Sequence, residues 1–212
     1  MKRVLIRLGA GALALVVLGF GVRYLGGEWY LWTENRNFAR LREKSTLDCA
    51  TMPFHCAVRD GDLASLEVRV ARLKAAGLDI NGRDRWRATA LLYAVANKPE
   101  ATGVLLQLGV DPNLADENGL APLSTALLLK RYDLARDLID AGASPDLLIG
   151  STAKRMTLLT EAVTSRNAEA ADFLWRHGAD LKRKDEYGYD ACQRAEMYET
   201  KDLFVFCAEV PK

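Results

Sequence analysis

Four cysteines and two histidines are the side chains of this 212-residue chain best suited to redox, metal or nucleophilic chemistry. The cysteines form two local pairs, Cys49 with Cys56 and Cys192 with Cys207. Neither pair is a Cys-x-x-Cys, and His55 and His177 do not stand at the spacing that completes a zinc site with a cysteine pair. No metal is expected. Catalysis is not expected either: there is no glycine-rich phosphate loop, no Gly-x-Ser-x-Gly, no His-Glu-x-x-His and no carboxylate cluster in an irregular loop. No motif implies a cofactor. An even number of cysteines permits two disulfides in an exported chain, whereas in a reducing cytosol the same thiols are small buried hydrophobes.

Composition narrows the field further. Half the residues are hydrophobic and 27% are charged, which describes a folded chain rather than a disordered one. Twenty-nine basic and 28 acidic residues leave a formal net charge of +1, so no global field draws the chain onto nucleic acid or anionic lipid.

The elements that position these residues show in a repeated phrase. "LKAAGLDIN" from Leu73, "LLQLGVDPN" from Leu105, "LIDAGASPD" from Leu138 and "LWRHGADLK" from Leu174 are near-copies. Their glycines, Gly77, Gly109, Gly142 and Gly178, fall 32, 33 and 36 residues apart, a period that signals a repeat array. An apolar helical stretch precedes each glycine, as in "DLARDLIDAG", with Leu134, Leu138 and Ile139 at helical spacing. Another helix start lies further upstream: "PFHCAV", "ALLYAV", "PLSTAL", "LLTEAV" and "ACQRAE". Alanine recurs there at Ala57, Ala94, Ala126, Ala162 and Ala195, small enough for two antiparallel helices to approach, and the glycine supplies the left-handed residue that stops the second helix.

This pattern resembles the ankyrin repeat, whose units read roughly G-x-T-P-L-H-x-A, a second helix, Gly-Ala-Asp and a projecting turn. "GLAPLSTA" (119–126) matches well, "RATALLYA" and "RMTLLTEA" less fully, and "GYDACQRA" is degenerate. The resemblance covers about residues 48–207 and implies an all-α solenoid of about four to five helix pairs, with units near 48–81, 82–113, 114–146, 147–182 and 183–212. It departs from the pattern twice. The second helix of the first unit, "GDLASLEVRVARLKAAG", is long, and the turn "DLLIGSTAKRM" carries extra residues that suit either a binding loop or a neutral insertion. His55 takes the histidine position of the motif, where local turn hydrogen bonds are expected, and His177 suits a helix C-terminus. The cysteine pairs fall in the first and last units, where staples would hold the two open ends of the stack.

Such solenoids bind proteins on a concave face lined by the first helices and turn tips. Alignment places Arg85, Trp86 and Arg87, then Glu117 and Asn118, then Lys154 and Arg155, then Glu186 and Tyr187 at the tips. Aromatics beside arginine are typical of interface hot spots. An equal reading folds Trp86 back onto the first helices.

The first 25 residues differ. Lys2, Arg3 and Arg7 precede an uncharged apolar run from Leu8 to Val22, closed by Arg23 and followed by Tyr24, Trp29, Tyr30 and Trp32. With the arginines snorkelling, the run suits a single transmembrane helix, N-terminus cytoplasmic, over residues 1–25. A cleaved signal is the competing reading, but the only small-x-small site is Gly19-Phe20-Gly21. Residues 26–47 read as a short helical stalk, with Phe38 and Leu41 free to dock on the first repeat. The expectation is a monomeric protein anchored in a bacterial inner membrane, with residues 48–212 in the periplasm. It would bind a protein partner, and no nucleic acid, to neutralise a toxin-like enzyme; the alternative is a scaffold for an envelope or oxidative-stress enzyme.

Overall fold

The computed structural model describes residues 4–8, 12–17, 20–23, 49–61, 63–150, 155–200 and 204–209. The chain divides into two compact units, Met1–Glu43 and Lys44–Lys212.

The first unit differs from expectation. Strands β1 (Val4–Leu8), β2 (Ala12–Val17) and β3 (Phe20–Arg23) form an antiparallel sheet in that order. Val4 lies opposite Val16, Leu8 opposite Ala12, and Val17 opposite Phe20. Among the described residues no helix is long and apolar enough to cross a membrane. Over residues 4–8, 12–17 and 20–23 strands thus stand where the transmembrane helix was expected, and the rest of 1–25 lies outside the described residues. Hydropathy is blind to this choice, whereas β-branched Val4, Ile6, Val16, Val17 and Val22 favour strand, and Gly9, Gly11, Gly19 and Gly21 weaken any helix running through them. The expected stalk, with Phe38 and Leu41, lies outside the described residues.

The second unit is built from helix pairs: α1 (Pro53–Asp60) with α2 (Leu63–Ala75), α3 (Ala90–Asn97) with α4 (Thr102–Gln107), and α5 (Pro122–Leu128) with α6 (Tyr132–Asp140). Then come α7 (Leu158–Thr164) with α8 (Ala168–Arg176), and α9 (Ala191–Met197) with α10 (Phe206–Glu209). These pairs leave the described part of this unit mostly helical, consistent with an ankyrin-like all-α fold, and α2 is long, as its sequence suggested.

Local chemistry explains where each helix begins and ends. Pro53 and Pro122 open α1 and α5 at first-turn positions, where a missing N–H costs nothing. Thr89, Thr157 and Asp190 cap α3, α7 and α9 by accepting from the amides of Leu92, Thr160 and Gln193. At the far end of each repeated phrase the glycine is left-handed, with φ of 79°, 83°, 95° and 88° at Gly77, Gly109, Gly142 and Gly178. The same closure follows every time. In α6, the Ala143 amide donates to Leu138 and the Gly142 amide to Ile139, the Schellman arrangement. Leu78 with Gly77, Val110 with Gly109 and Ala179 with Gly178 repeat it. Of the four leucines that accept from the residue after the glycine, Leu105, Leu138 and Leu174 are fully buried and Leu73 is half-buried.

Packing runs through all the pairs. Ala57, Ala94, Ala126 and Ala195 show no exposed surface and Ala162 only 5%, so the recurring small residue does sit where helices meet. Just past each glycine, polar side chains link neighbouring units: Asn81 accepts from the Asp111 amide (2.9 Å), Asn113 from Ser144 (2.8 Å) and Asp146 from Asp180 (2.9 Å). His55 belongs to this set. Its Nε2 meets the Ala88 carbonyl 33 residues on at 3.0 Å, so it joins the first unit to the next instead of bracing its own turn. Burial lowers its pKa below the usual histidine value, against a smaller upward pull from Ala88. His177 caps α8: Nδ1 lies 2.7 Å from the Phe173 carbonyl, and its ring stacks on Phe173 at 4.0 Å.

Both ends carry a disulfide, Cys49–Cys56 and Cys192–Cys207, with Cα separations of 5.6 and 5.3 Å. Among the described residues no cysteine is free. Phe204, Phe206 and Cys207 close the C-terminal end, Phe206 lying against Trp175 at 5.6 Å.

Candidate functional site

The turn tips are built by a device the sequence repeats three times. Asp84, Asp116 and Asp185 each turn one carboxylate oxygen onto two backbone amides: those of Trp86 and Ala88, of Asn118 and Leu120, and of Tyr187 and Tyr189, all at 2.8–3.0 Å. This side-chain mimic of a turn closes each loop and leaves the two intervening residues projecting. Burial pushes the Asp116 carboxyl above the usual range, while the amides it accepts pull it down. The fourth position of each turn is left-handed: Arg87 (φ 62°), Gly119 (76°) and Gly188 (88°). Arg87 thus holds a glycine-type conformation.

The expanded turn of the fourth unit lacks the aspartate. Strands β4 (Leu148–Ile149) and β5 (Met156–Thr157) pair across it instead, Leu148 opposite Thr157 and Ile149 opposite Met156. Backbone rungs tie successive tips into a row: Glu117 donates to the Trp86 carbonyl at 2.9 Å, Gly150 to Gly119 at 3.4 Å, and Glu186 to Arg155 at 3.0 Å. The approach at Gly119 is so close that a Cβ there would collide with the Gly150 backbone.

Most of the expected tip residues do lie on this row. Arg85 is exposed, and its guanidinium sits 4.0 Å over the ring of half-buried Trp86. Arg87 and Glu117 are exposed; Asn118 is half-buried and bonded to Asp116. Arg155 and Glu186, 31 residues apart, form a forked ion pair at 2.7 and 2.9 Å, and the Arg155 amide adds a third bond. That pairing holds the Glu186 carboxyl below its usual pKa. Tyr187 is 45% exposed. Lys154 lies outside the described residues.

Three residues central to the last tip are absent from the sequence-based set. Arg194 is buried, bonded to Asp185 at 2.7 and 3.0 Å, and held between the rings of Tyr187 and Tyr189 at 4.8 and 5.0 Å. Tyr189, 39% exposed, widens the aromatic surface beside Tyr187. The signal that could have found them is the spacing Asp-x-x-Gly, present at 116–119 and 185–188 and, with arginine in the last place, at 84–87. The first helices contribute less than expected to an open face. Residues 122–127 of α5 are buried throughout, and α7 exposes none of residues 158–163.

Among the described residues of this row no arrangement resembles a catalytic centre. Elsewhere, Cys49, Cys56 and Asp60 offer atoms within 4.8 Å of one another, but both sulfurs are held in the disulfide and so are not thiolate donors.

No family model matches the chain. Among curated proteins, it is 28% identical over 174 residues to a fowlpox virus (strain NVSL) protein described as an ankyrin repeat protein. The repeats are similar to ankyrin repeats. The match covers 65% of this chain and 28% of that protein, so the chain spans under a third of the relative's length.

Proposed function

We propose that this chain is an ankyrin-repeat module that binds a protein partner through its row of turn tips, and that binding neutralises an exported, toxin-like enzyme. The observation that carries the reading is the row itself: consecutive tips locked by backbone rungs, with Arg85–Trp86 at one end and Tyr187–Arg194–Tyr189 at the other. A pre-ordered surface pays little entropy on binding, and aromatic and arginine anchors supply most interface energy. The partner surface we infer is complementary to alternating charge, since Arg85 and Arg87 lie beside Glu117.

We also propose that the module lies on the exported side of a bacterial inner membrane, to which its apolar N-terminal segment directs it. Two features support this: basic residues ahead of the apolar run from Leu8 to Val22, and two disulfides, which persist in oxidising compartments. The test is capture of the full chain from host membranes with a tag after Lys212, in parallel with Trp86→Ala and Tyr187→Ala. The reading requires one stoichiometric enzyme partner, inhibited when bound, whose recovery falls at least tenfold for each variant. A partner that stays active when bound, or binding indifferent to both substitutions, overturns it.

A further inference from the structure

The two disulfides occupy opposite chemical settings. Cys192 is half-buried and Cys207 buried, packed with Phe204 and Phe206 against the apolar core. Cys49 is exposed, while Cys56 is 3% exposed. Both cysteines line a cavity of about 310 Å³ beside the first unit, large enough for a small ligand. Pro53 and Leu73 give it an apolar wall, and Asp60, Arg69 and Arg72 give it charge. Arg59 donates to Cys49 Sγ at 3.5 Å and forks onto Asp60 at 2.6 and 2.7 Å. Arg59 and Asp60 therefore cancel. Among the described residues no ion pair engages Arg69 or Arg72, so the charged residues that line the cavity leave it net positive beside the exposed Cys49.

We propose that this cavity takes a small anionic thiol, a cysteine-containing peptide with free carboxylates, which forms a mixed disulfide at Cys49. The incoming thiolate attacks Cys49 Sγ, the sulfur of the exposed cysteine. The Cys49–Cys56 bond breaks as the new S–S bond forms, and Cys56 leaves as the thiolate. The thiol sulfur is oxidised and the Cys56 sulfur reduced; the thiol's proton goes to solvent, and Cys56 takes one from solvent when it is protonated. Arg69 and Arg72 attract the carboxylates and the attacking charge. Cys56 lies in the first turn of α1, at the positive end of the helix dipole, which favours its departure as a thiolate. The product is a modified Cys49 with the N-terminal staple open and the C-terminal one intact. This inference stands independently of the tip surface.

The test uses the full purified chain at low ionic strength, with glutathione as the anionic thiol and cysteamine as the cationic one. Reactions are quenched in acid, and adducts are located by peptide mass spectrometry. One arginine at about 6 Å in water is worth roughly threefold in rate per unit of ligand charge, so the pair, acting on two thiols that differ by two charges, predicts a preference for glutathione of about a hundredfold at equal thiolate concentration. The adduct appears at Cys49 before any change at Cys192 or Cys207. Raising the salt on the unaltered protein shrinks the preference, as does Arg69→Gln with Arg72→Gln. Equal rates for the two thiols, first attack at Cys192–Cys207, or an adduct on Cys56 alone would overturn the proposal.

Discussion

Arg194→Ala probes how the last tip is held. The Arg194 and Asp185 side chains are 8% and 0% exposed and joined at 2.7 Å, so truncation strands a carboxylate that water cannot reach. Asp185 keeps the two amides of Tyr187 and Tyr189 but loses both bonds from the guanidinium. Breaking a buried pair from one side costs about 3–5 kcal/mol, and loss of the cation between two tyrosine rings adds about 0.5–1 kcal/mol. The control is Arg176→Ala. Arg176 pairs with Asp172 at 2.8 Å, but the partners are 68% and 50% exposed, so its loss costs under about 1 kcal/mol. Removing both charges, as Asp185→Asn with Arg194→Met, leaves no stranded ion and costs less than Arg194→Ala alone. Urea denaturation ranks the three, and hydrogen exchange locates the effect. Because each repeat contacts only its neighbours, the amides of 185–200 lose protection while those of α3 and α5 keep theirs. The reasoning is refuted if Arg194→Ala costs no more than Arg176→Ala.

Other consequences follow from the same geometry. Gly142→Ala forces alanine to φ 95° in open space and costs about 1 kcal/mol, whereas Gly119→Ala adds a clash with the Gly150 backbone and costs about 2–4 kcal/mol; urea midpoints separate them. Arg87→Gly relieves a left-handed arginine (φ 62°) and raises stability by up to about 1 kcal/mol, while weakening partner binding if Arg87 makes contact there. His55 has a folded pKa below its unfolded value of 6.5, so the unfolded chain binds the proton first. Its stabilising effect is present above about pH 6.5 and is lost as pH falls toward the lowered folded value. His55→Gln therefore flattens the stability profile below pH 6.5.

What was legible in the sequence is what local sterics dictate. Gly77, Gly109, Gly142 and Gly178 mark helix ends because only a residue without a Cβ takes that conformation cheaply, and the recurring alanines mark helix contacts because larger groups do not fit. The local pairing of cysteines within the first and last units was legible for the same reason, since distant ends of a stack cannot meet. Long-range side-chain partnerships were not. Arg155 and Glu186 read as two separate tip charges, because their pairing depends on how adjacent units stack. Arg194 stands in a degenerate repeat whose sequence marks no role for it, yet it is buried on a turn aspartate. His55 was placed in the right motif, but its partner lies in the next unit. At the N-terminus, a hydropathy window scores an apolar helix and an apolar hairpin alike, and the β-branched residues and glycines decide between them.

The central claim is that the row of turn tips is the surface a protein partner meets. The direct measurement is site-specific photocrosslinking in the native host, with benzoylphenylalanine replacing Trp86, Glu117 or Tyr187 on the tips, and Gln107 or Arg136 on the second helices. The account predicts that all three tip positions capture one common protein and that neither helix position does. Capture of that protein from positions 107 and 136, with none from the tips, would contradict it.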